Sequence, residues 1–518
     1  MSGPALRTRR ARATAGEKSV PRPPGGVARL SGLGFWSLAF LLLAALRLPY
    51  ITSPNFFLDG DESILGLMAK HLAEGREFQV FPYGQAYGFS LVETLPAAVG
   101  FRLFGPEPIV LTLSMLAVFF VGLVFYEKAF FGLTGNREWS RGLTLILALL
   151  PVWVVWSMKA RGGYLTAFVL FGVLLWILAR DKANTRGAVV AGGLVGLLAF
   201  SQALWLPGIL PLLLLPVTRG KHPRYLLPAL VSAAVVSAGL FLVGSGGDAY
   251  WRPTVFAGFH PARFASLPIY LHQLFSGFFY LREIRDPPML VSGVAWLLTA
   301  GFFSSLIILG LGFVRKRDMR SGLMALSLLC AVSHLPILNT VPPRYLLSVS
   351  VLLVVAQAVW LGQRTSPARA LPRLWGDSLL LLLCLCAFQM TELRPINPEA
   401  DSDFERELYS LLDFLGGNEV EAVYSLNGPL LWQLMFFGNE KIPARFFSAT
   451  DRYPPYPAKV DSVLGAGGRT ALLGPISAAR PFVNTPLADD LIRVGQIYFV
   501  LLDPSRTLLQ QGGFEFKD

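Results

Sequence analysis

Three carboxylates, Asp59, Asp61 and Glu62, stand within four residues, followed by a helical apolar pattern of Ile64, Leu65, Leu67, Met68 and Leu72. Two roles fit them. Asp59 can be the N-cap of that helix, with Glu62 completing a capping box and Asp61 favoured in the first turn by the helix dipole. A cap does not need three mutually repelling acids, however, and a carboxylate at a membrane-edge cavity is what removes a proton from an acceptor hydroxyl. The spacing leaves both roles open.

Further on, Tyr83-Gly84-Gln85-Ala86-Tyr87-Gly88 sets phenol and amide groups among glycines. Such groups hydrogen-bond a polyhydroxylated ligand while aromatic faces cover its C–H surface, although tyrosines also form interfacial belts. Glu93, inside an otherwise apolar helical stretch, is a further candidate contact. Two arginines complete the set, Arg161 in Lys159-Ala160-Arg161-Gly162-Gly163-Tyr164 and Arg344 in Pro342-Pro343-Arg344-Tyr345. A guanidinium fork matches phosphate oxygens; the competing role for either is an interfacial snorkelling residue.

The elements that must position these residues are set by composition. The 518 residues are 53% hydrophobic and 15% charged, with mean hydropathy +0.52, against about 25% charged residues in soluble domains. This is the composition of an integral membrane protein. A bilayer core of about 30 Å asks for roughly 17–25 apolar residues per helix. Stretches near 34–53, 108–131, 142–158, 164–180, 188–205, 225–243, 289–314, 321–338, 345–362 and 376–391 qualify, and 206–217 is a short eleventh. Basic linkers at 180–186, 219–224, 315–320 and 363–373 fall on one side under the positive-inside rule only if the chain crosses twice between 188 and 217, with Trp205-Leu206-Pro207-Gly208 as the outer turn.

The ends of the chain differ in sign. Residues 1–30 carry seven Lys or Arg against one Glu, whereas residues 392–518 carry 11 Lys or Arg against 17 Asp or Glu. Net charge is +12, but a basic tail beside a first span is a topology signal, so nucleic acid is not the expected partner. The resulting organisation is a basic cytoplasmic tail at 1–33, a membrane domain at 34–391 and an extracytoplasmic domain at 392–518. Long loops at 54–107 and 244–288 lie on the outer face, the second containing Asp248, Tyr250, Trp251, Arg252, His260, Arg263 and His272. The last region alternates strand-like runs at 421–425, 445–448, 470–473 and 497–502 with helical stretches at 404–415 and 430–437, the pattern of a small α/β domain.

Taken in order, the basic tail, first span, outer Asp-Glu loop, Tyr-Gly-Gln-Ala-Tyr-Gly segment, Ala160-Arg161-Gly162-Gly163-Tyr164 and Pro343-Arg344-Tyr345-Leu346-Leu347 resemble the C-type glycosyltransferase (GT-C) superfamily. Within it the likeness is to bacterial relatives of protein O-mannosyltransferases and ArnT-like aminoarabinose transferases. It covers roughly 34–391. The fold it implies is a multi-pass α-helical membrane protein of about eleven transmembrane helices, with outer-face juxtamembrane helices and the small α/β domain. The activity implied is inverting transfer of a sugar from a polyprenyl-phosphate donor to an acceptor hydroxyl or amine on the outer face of a plasma membrane, the bacterial inner membrane. By position, Asp61 resembles the catalytic base with Glu62 beside it, and Asp59 is an extra acid. Arg344 and Tyr345 resemble donor-phosphate contacts and Arg161 a second one; Tyr83, Gln85, Tyr87 and Glu93 are left as sugar or acceptor contacts. Acceptor classes are glycan, lipid or protein.

No cofactor is expected. The five histidines are scattered and the cysteines Cys330, Cys384 and Cys386 lie in apolar runs, so neither zinc-ligand spacing nor thiol chemistry is offered; a divalent cation at the acidic loop is the remaining metal expectation. The competing classes are a transporter or flippase of lipid-linked sugars, for which inverted repeats and mid-membrane ionisable residues are the missing signals, and a non-catalytic scaffold, which would keep the acid loop and the arginines apart.

Overall fold

The structure, a computed structural model, describes residues 32–52, 58–180, 184–219, 223–244, 258–277, 287–338, 341–363, 370–391, 404–448, 452–479 and 489–516. The basic tail at 1–30, parts of the basic linkers at 180–186, 219–224 and 363–373, and Asp248, Tyr250, Trp251 and Arg252 lie outside the described residues.

Helix α1 (Gly32–Ile51) leads to two shorter helices, α2 (Gly60–Ala73) and α3 (Leu91–Phe104), and then to α4 (Pro108–Thr134). The expected span at 142–158 is two helices, α5 (Arg137–Leu149) and α6 (Pro151–Trp156). Pro151 cannot donate to the preceding turn, and a cation from another helix sits at the break. Arg47 of α1, fully buried, donates to Ala148 O at 2.9 Å, Trp153 O at 3.2 Å and Ser157 Oγ at 2.6 Å. Nothing in the apolar run around Arg47 marked it as this fastener.

Helices α7 (Tyr164–Ala179) and α8 (Thr185–Ser201) follow. The break expected at 205–208 comes earlier, at Gln202, whose φ of −146° and ψ of 84° end α8. Trp205 is fully buried against Trp153 and Phe171 and not placed at an interface. The return path is a 3-10 turn (Ala203–Trp205), the four-residue α9 (Leu206–Ile209) and a further 3-10 stretch (Leu210–Leu214), because prolines at 207 and 211 prevent a regular helix. Then come α10 (Leu226–Gly244), α11 (Leu267–Ser276), α12 (Met289–Lys316), α13 (Met319–Val332), α14 (Leu347–Gly362) and α15 (Ala370–Thr391). Six helical stretches among the described residues are long and apolar enough to span, at 32–51, 108–134, 223–244, 289–316, 319–337 and 343–362, and shorter apolar helices accompany them. The chain is a multi-pass helical membrane protein.

The C-terminal unit comprises α16 (Phe404–Gly417), α17 (Gly428–Phe437), α18 (Pro455–Gly465) and α19 (Arg506–Gln511) around five strands, β1 (Ala422–Ser425), β2 (Ala444–Arg445), β3 (Thr470–Pro475), β4 (Ile492–Val494) and β5 (Tyr498–Leu502). The sheet order is β2-β1-β3-β5-β4. β1 runs parallel to β2 and β3, and β5 is antiparallel to β3 and β4. β4 and α18 were not expected from the sequence: β4 is three residues long with two exposed, and Pro455 and Pro457 mask the helical period of α18. Strand β2 is centred one to two residues before the expected 445–448 run.

This unit packs on the loop before α4. The apolar stripe of α2 is covered by α17, where a Cβ added at Gly66 would meet the Phe436 ring at 2.6 Å. Gln433 donates to Leu58 O at 2.9 Å. Helix α3 keeps Leu95, Val99, Leu103 and Phe104 exposed along one side, the pattern of a helix lying against lipid.

Candidate functional site

The acidic trio divides its labour. The Asp59 carboxylate accepts from Asp61 N at 3.0 Å and Glu62 N at 3.2 Å, while Glu62 Oε2 accepts from Asp59 N at 3.0 Å, a complete capping box for α2. Beyond the cap, Asp59 is ion-paired with Arg161. Burial works to raise the Asp59 pKa, but Arg161 and Lys159 outweigh it and hold it below the usual carboxylate value. Glu62 is fully buried, and there burial wins, raising its pKa despite Lys159 Nζ at 3.0 Å and Ala160 N at 3.3 Å. Both carboxylates therefore tie α2 to the loop before α7. Asp61 is different. Its side chain is 60% exposed, 3.8 Å from the Arg161 guanidinium.

The loop carrying Arg161 is fixed from beneath. Glu93 of α3 accepts from Gly163 N at 3.3 Å and Thr166 N at 2.7 Å, satisfying donors at the start of α7. Burial pushes the Glu93 carboxyl up to about 7, against the pull of those N–H groups. Gly163 takes φ of +89°, and a Cβ there would sit 2.7 Å from Ser201 O, so only glycine fits the turn. Ser201 Oγ donates to Gly163 O at 2.6 Å and Phe89 O at 3.1 Å, and the N–H groups of Gly88 and Phe89 donate to Phe200 O. Three chain segments thus meet behind Arg161.

A cavity of about 240 Å³ opens in front of them. Its lining includes Asp61, Ile64, Pro82, Gln85, Tyr87, Arg161, Gly162, Tyr164, Ser201, Gln202, Arg344, Tyr345 and Arg452. Arg344 and Tyr345 enter on a 3-10 turn, Pro343–Leu346, with the guanidinium 5.4 Å from the Tyr345 ring centroid. Arg452 comes from the C-terminal unit and rests on Gly84, where an added Cβ would meet its Cα at 2.9 Å. A larger apolar cavity of about 920 Å³ between α5, α12, α14 and α15 shares no residue with this one. The chemistry-bearing groups are in the smaller space.

Of the residues singled out from the sequence, Asp61, Gln85, Tyr87, Arg161, Arg344 and Tyr345 line the cavity. Asp59, Glu62, Tyr83 and Glu93 do not. Tyr83 is buried, its hydroxyl bonded to His71 Nδ1 and its ring 4.5 Å from that of Tyr453. His71 Nε2 in turn meets Glu440 Oε1 at 3.0 Å; Glu440 also pairs with Lys70 and Arg76 and accepts from Tyr456 Oη at 2.9 Å. Despite its burial, these donors hold Glu440 far below the usual carboxylate range. Tyr164, Gln202 and Arg452 were missed. Tyr164 and Gln202 adjoin span ends, which was the available signal; Arg452 had none. Among the described residues no three His, Cys, Asp or Glu side chains are grouped to hold a metal ion. Two acids of the acidic loop are engaged with Arg161 and Lys159, so the expected cation has no cluster there.

The arrangement of these helices with the docked α/β unit is a fold shared with solved membrane proteins. The particular likeness is to ArnT from Cupriavidus metallidurans. Its crystal structure bound to undecaprenyl phosphate superposes with a TM-score of 0.60 at 14% identity, covering 92% of this chain and 99% of that one. The apo structure gives 0.54 at 14% identity with the same coverage. An oligosaccharyltransferase from Archaeoglobus fulgidus, solved with Zn and sulfate, also matches at a TM-score of 0.48 and 11% identity over 86% of this chain and 68% of that one. No family model matches the sequence, and no curated protein matches it.

Proposed function

We propose that this protein is an inverting glycosyltransferase that moves a sugar from a polyprenyl-phosphate carrier to an acceptor hydroxyl or amine. The observation that carries the reading is the cavity itself, where the exposed carboxylate of Asp61 shares one small space with Arg161, Arg344 and Tyr345. Asp61 takes the acceptor proton as the acceptor oxygen or nitrogen bonds to the anomeric carbon. The bond from that carbon to the carrier phosphate breaks, its electron pair stays on the phosphate, and the phosphate charge grows from −1 to −2. Arg344 and Arg161 offset that growing charge and Tyr345 hydrogen-bonds the phosphate. Gln85 and Tyr87 are placed to contact sugar hydroxyls.

Asp59, Glu62 and Glu93 act through others, holding Arg161 and its loop in place; Tyr83 fixes the segment that carries Gln85. The likeness in fold to ArnT, crystallised with undecaprenyl phosphate, supports a carrier of that kind. The charge asymmetry of the chain supports an N-terminus in the cytoplasm with the site and C-terminal domain outside, and the likeness to ArnT supports the bacterial inner membrane as the location. A transporter or flippase has less support, because Asp61, Arg161 and Arg344 line one small cavity and the sequence carries no inverted repeat. A scaffold has less still, since the acid loop and arginines converge.

The test is transfer of radiolabelled sugar from a panel of polyprenyl-phosphate sugars by the purified protein in proteoliposomes. Labelled product is expected with one donor and is expected to be lost in Arg344→Ala. Transfer that survives Arg344→Ala unchanged would contradict the assignment.

A further inference from the structure

We infer that Arg452, carried by the C-terminal domain, is a third anion-binding guanidinium of the cavity and contacts the carrier phosphate, so that the site is complete only when that domain is docked. The inference rests on the proposed function and adds a residue to it from some 390 positions beyond the acid loop in the chain.

Two observations place Arg452 there. It lines the same cavity as Asp61, Arg161 and Arg344. Its backbone and Cβ also sit so close to Gly84 that no side chain fits between: a methyl group on Gly84 would stand 2.9–3.0 Å from Cα, Cβ and Cγ of Arg452. Gly84 takes φ of +66°, so both the conformation and the clearance at that position favour glycine. The next residue, Gln85, lines the same cavity.

The domain is fastened nearby. Glu440 joins Lys70, His71 and Arg76 of the first loop, and Tyr453, next to Arg452, packs its ring 5.4 Å from His71 and 4.5 Å from Tyr83. The position of Arg452 is therefore set by an interface rather than by a free loop end.

Charge says what it meets. The cavity lining carries three arginines, Arg161, Arg344 and Arg452, and one acid, the exposed Asp61. A phosphodiester that becomes a dianionic monoester as the sugar departs is a ligand of complementary sign, and a second guanidinium beside Arg344 gains interaction as that charge grows.

The experiment compares binding of undecaprenyl phosphate and of uncharged undecaprenol to the purified full-length protein by native mass spectrometry. Wild type, Arg452→Ala, Arg452→Lys and Arg344→Ala are measured, with the melting temperature of each as a fold control. The wild type is expected to prefer the phosphate. Arg452→Ala is expected to reduce that preference at least fivefold, with partial rescue by Arg452→Lys. A preference unchanged in Arg452→Ala but lost in Arg344→Ala overturns the role of Arg452 alone, assigning this arginine to the acceptor or to packing. A preference unchanged in both overturns the donor reading itself. Should Arg452→Ala melt early, Arg452→Gln, which keeps the length of the stem, decides in its place.

Discussion

Lys159 Nζ lies 3.0 Å from Glu62 Oε2, and both side chains are almost wholly buried. The pair joins the first turn of α2 to the loop that carries Arg161, so the carboxylate of Asp61 and the guanidinium of Arg161 inherit their separation from it. Removing one partner of a buried pair costs about 3–5 kcal/mol, because the other charge loses its compensation. Glu62→Gln is therefore expected to lower the melting temperature by several degrees. The double change Glu62→Gln with Lys159→Met should recover part of the loss. A double variant no better than the single one, in a two-by-two cycle of melting temperatures, would show that the pair is not the fastener.

Glu93 gives a pH signature. Its carboxyl is raised from an ordinary 4.5 to about 7 by burial, so the folded protein binds its proton more tightly than the unfolded chain does. Stability from this group is complete below about pH 4.5 and declines as pH rises to about 7, then stays level. Melting temperature measured across that window should fall with rising pH in the wild type. Glu93→Gln, neutral at every pH and still able to accept from Thr166 N, should flatten that slope.

Glu440 works with the opposite sign. Its carboxyl is held far below 4.5 by His71, Arg76 and Lys70 despite burial, so its stabilisation is present above about pH 4.5 and is lost as pH falls below that value. Hydrogen bonds to charged groups contribute about 1.5–3 kcal/mol each. Glu440→Gln should loosen the C-terminal domain, read as faster amide exchange in α2 and α17 with helices α4 and α7 unaffected. Equal acceleration throughout the chain would mean that Glu440 supports global stability and not docking.

How much of this was legible in the sequence depends on where the determining force acts. Apolar length places the spans because lipid imposes it locally, and a proline can be seen to split 142–158 only once Arg47 is known to answer it. The break expected at 205–208 falls instead at Gln202, because Pro207 and Gly208, breakers in isolation, are accommodated in the short α9, which packs on α13. The two readings of the acidic trio were both present in the sequence, and the structure distributes them: cap and fastener to Asp59 and Glu62, cavity to Asp61. Tyr83 and Glu93 share a loop with Gln85 and Tyr87, yet one faces His71 and the other the start of α7. Contacts made by residues distant in the chain, such as Arg452 on Gly84, left no local trace.

The proposed reaction requires Asp61 to take the acceptor proton. The direct measurement is single-turnover transfer in proteoliposomes preloaded with a donor that the wild type accepts, comparing Asp61→Asn with Asp59→Asn and following donor binding separately. Positioned proton transfer is worth about 10²–10⁴ in rate. Asp61→Asn should lose transfer by that order with donor binding retained. Asp59→Asn, which keeps an N-cap acceptor but gives up the Arg161 ion pair, should lose less rate and melt earlier. Transfer by Asp61→Asn within a few-fold of the wild type would contradict the account, leaving Asp61 as a surface residue of the first turn of α2.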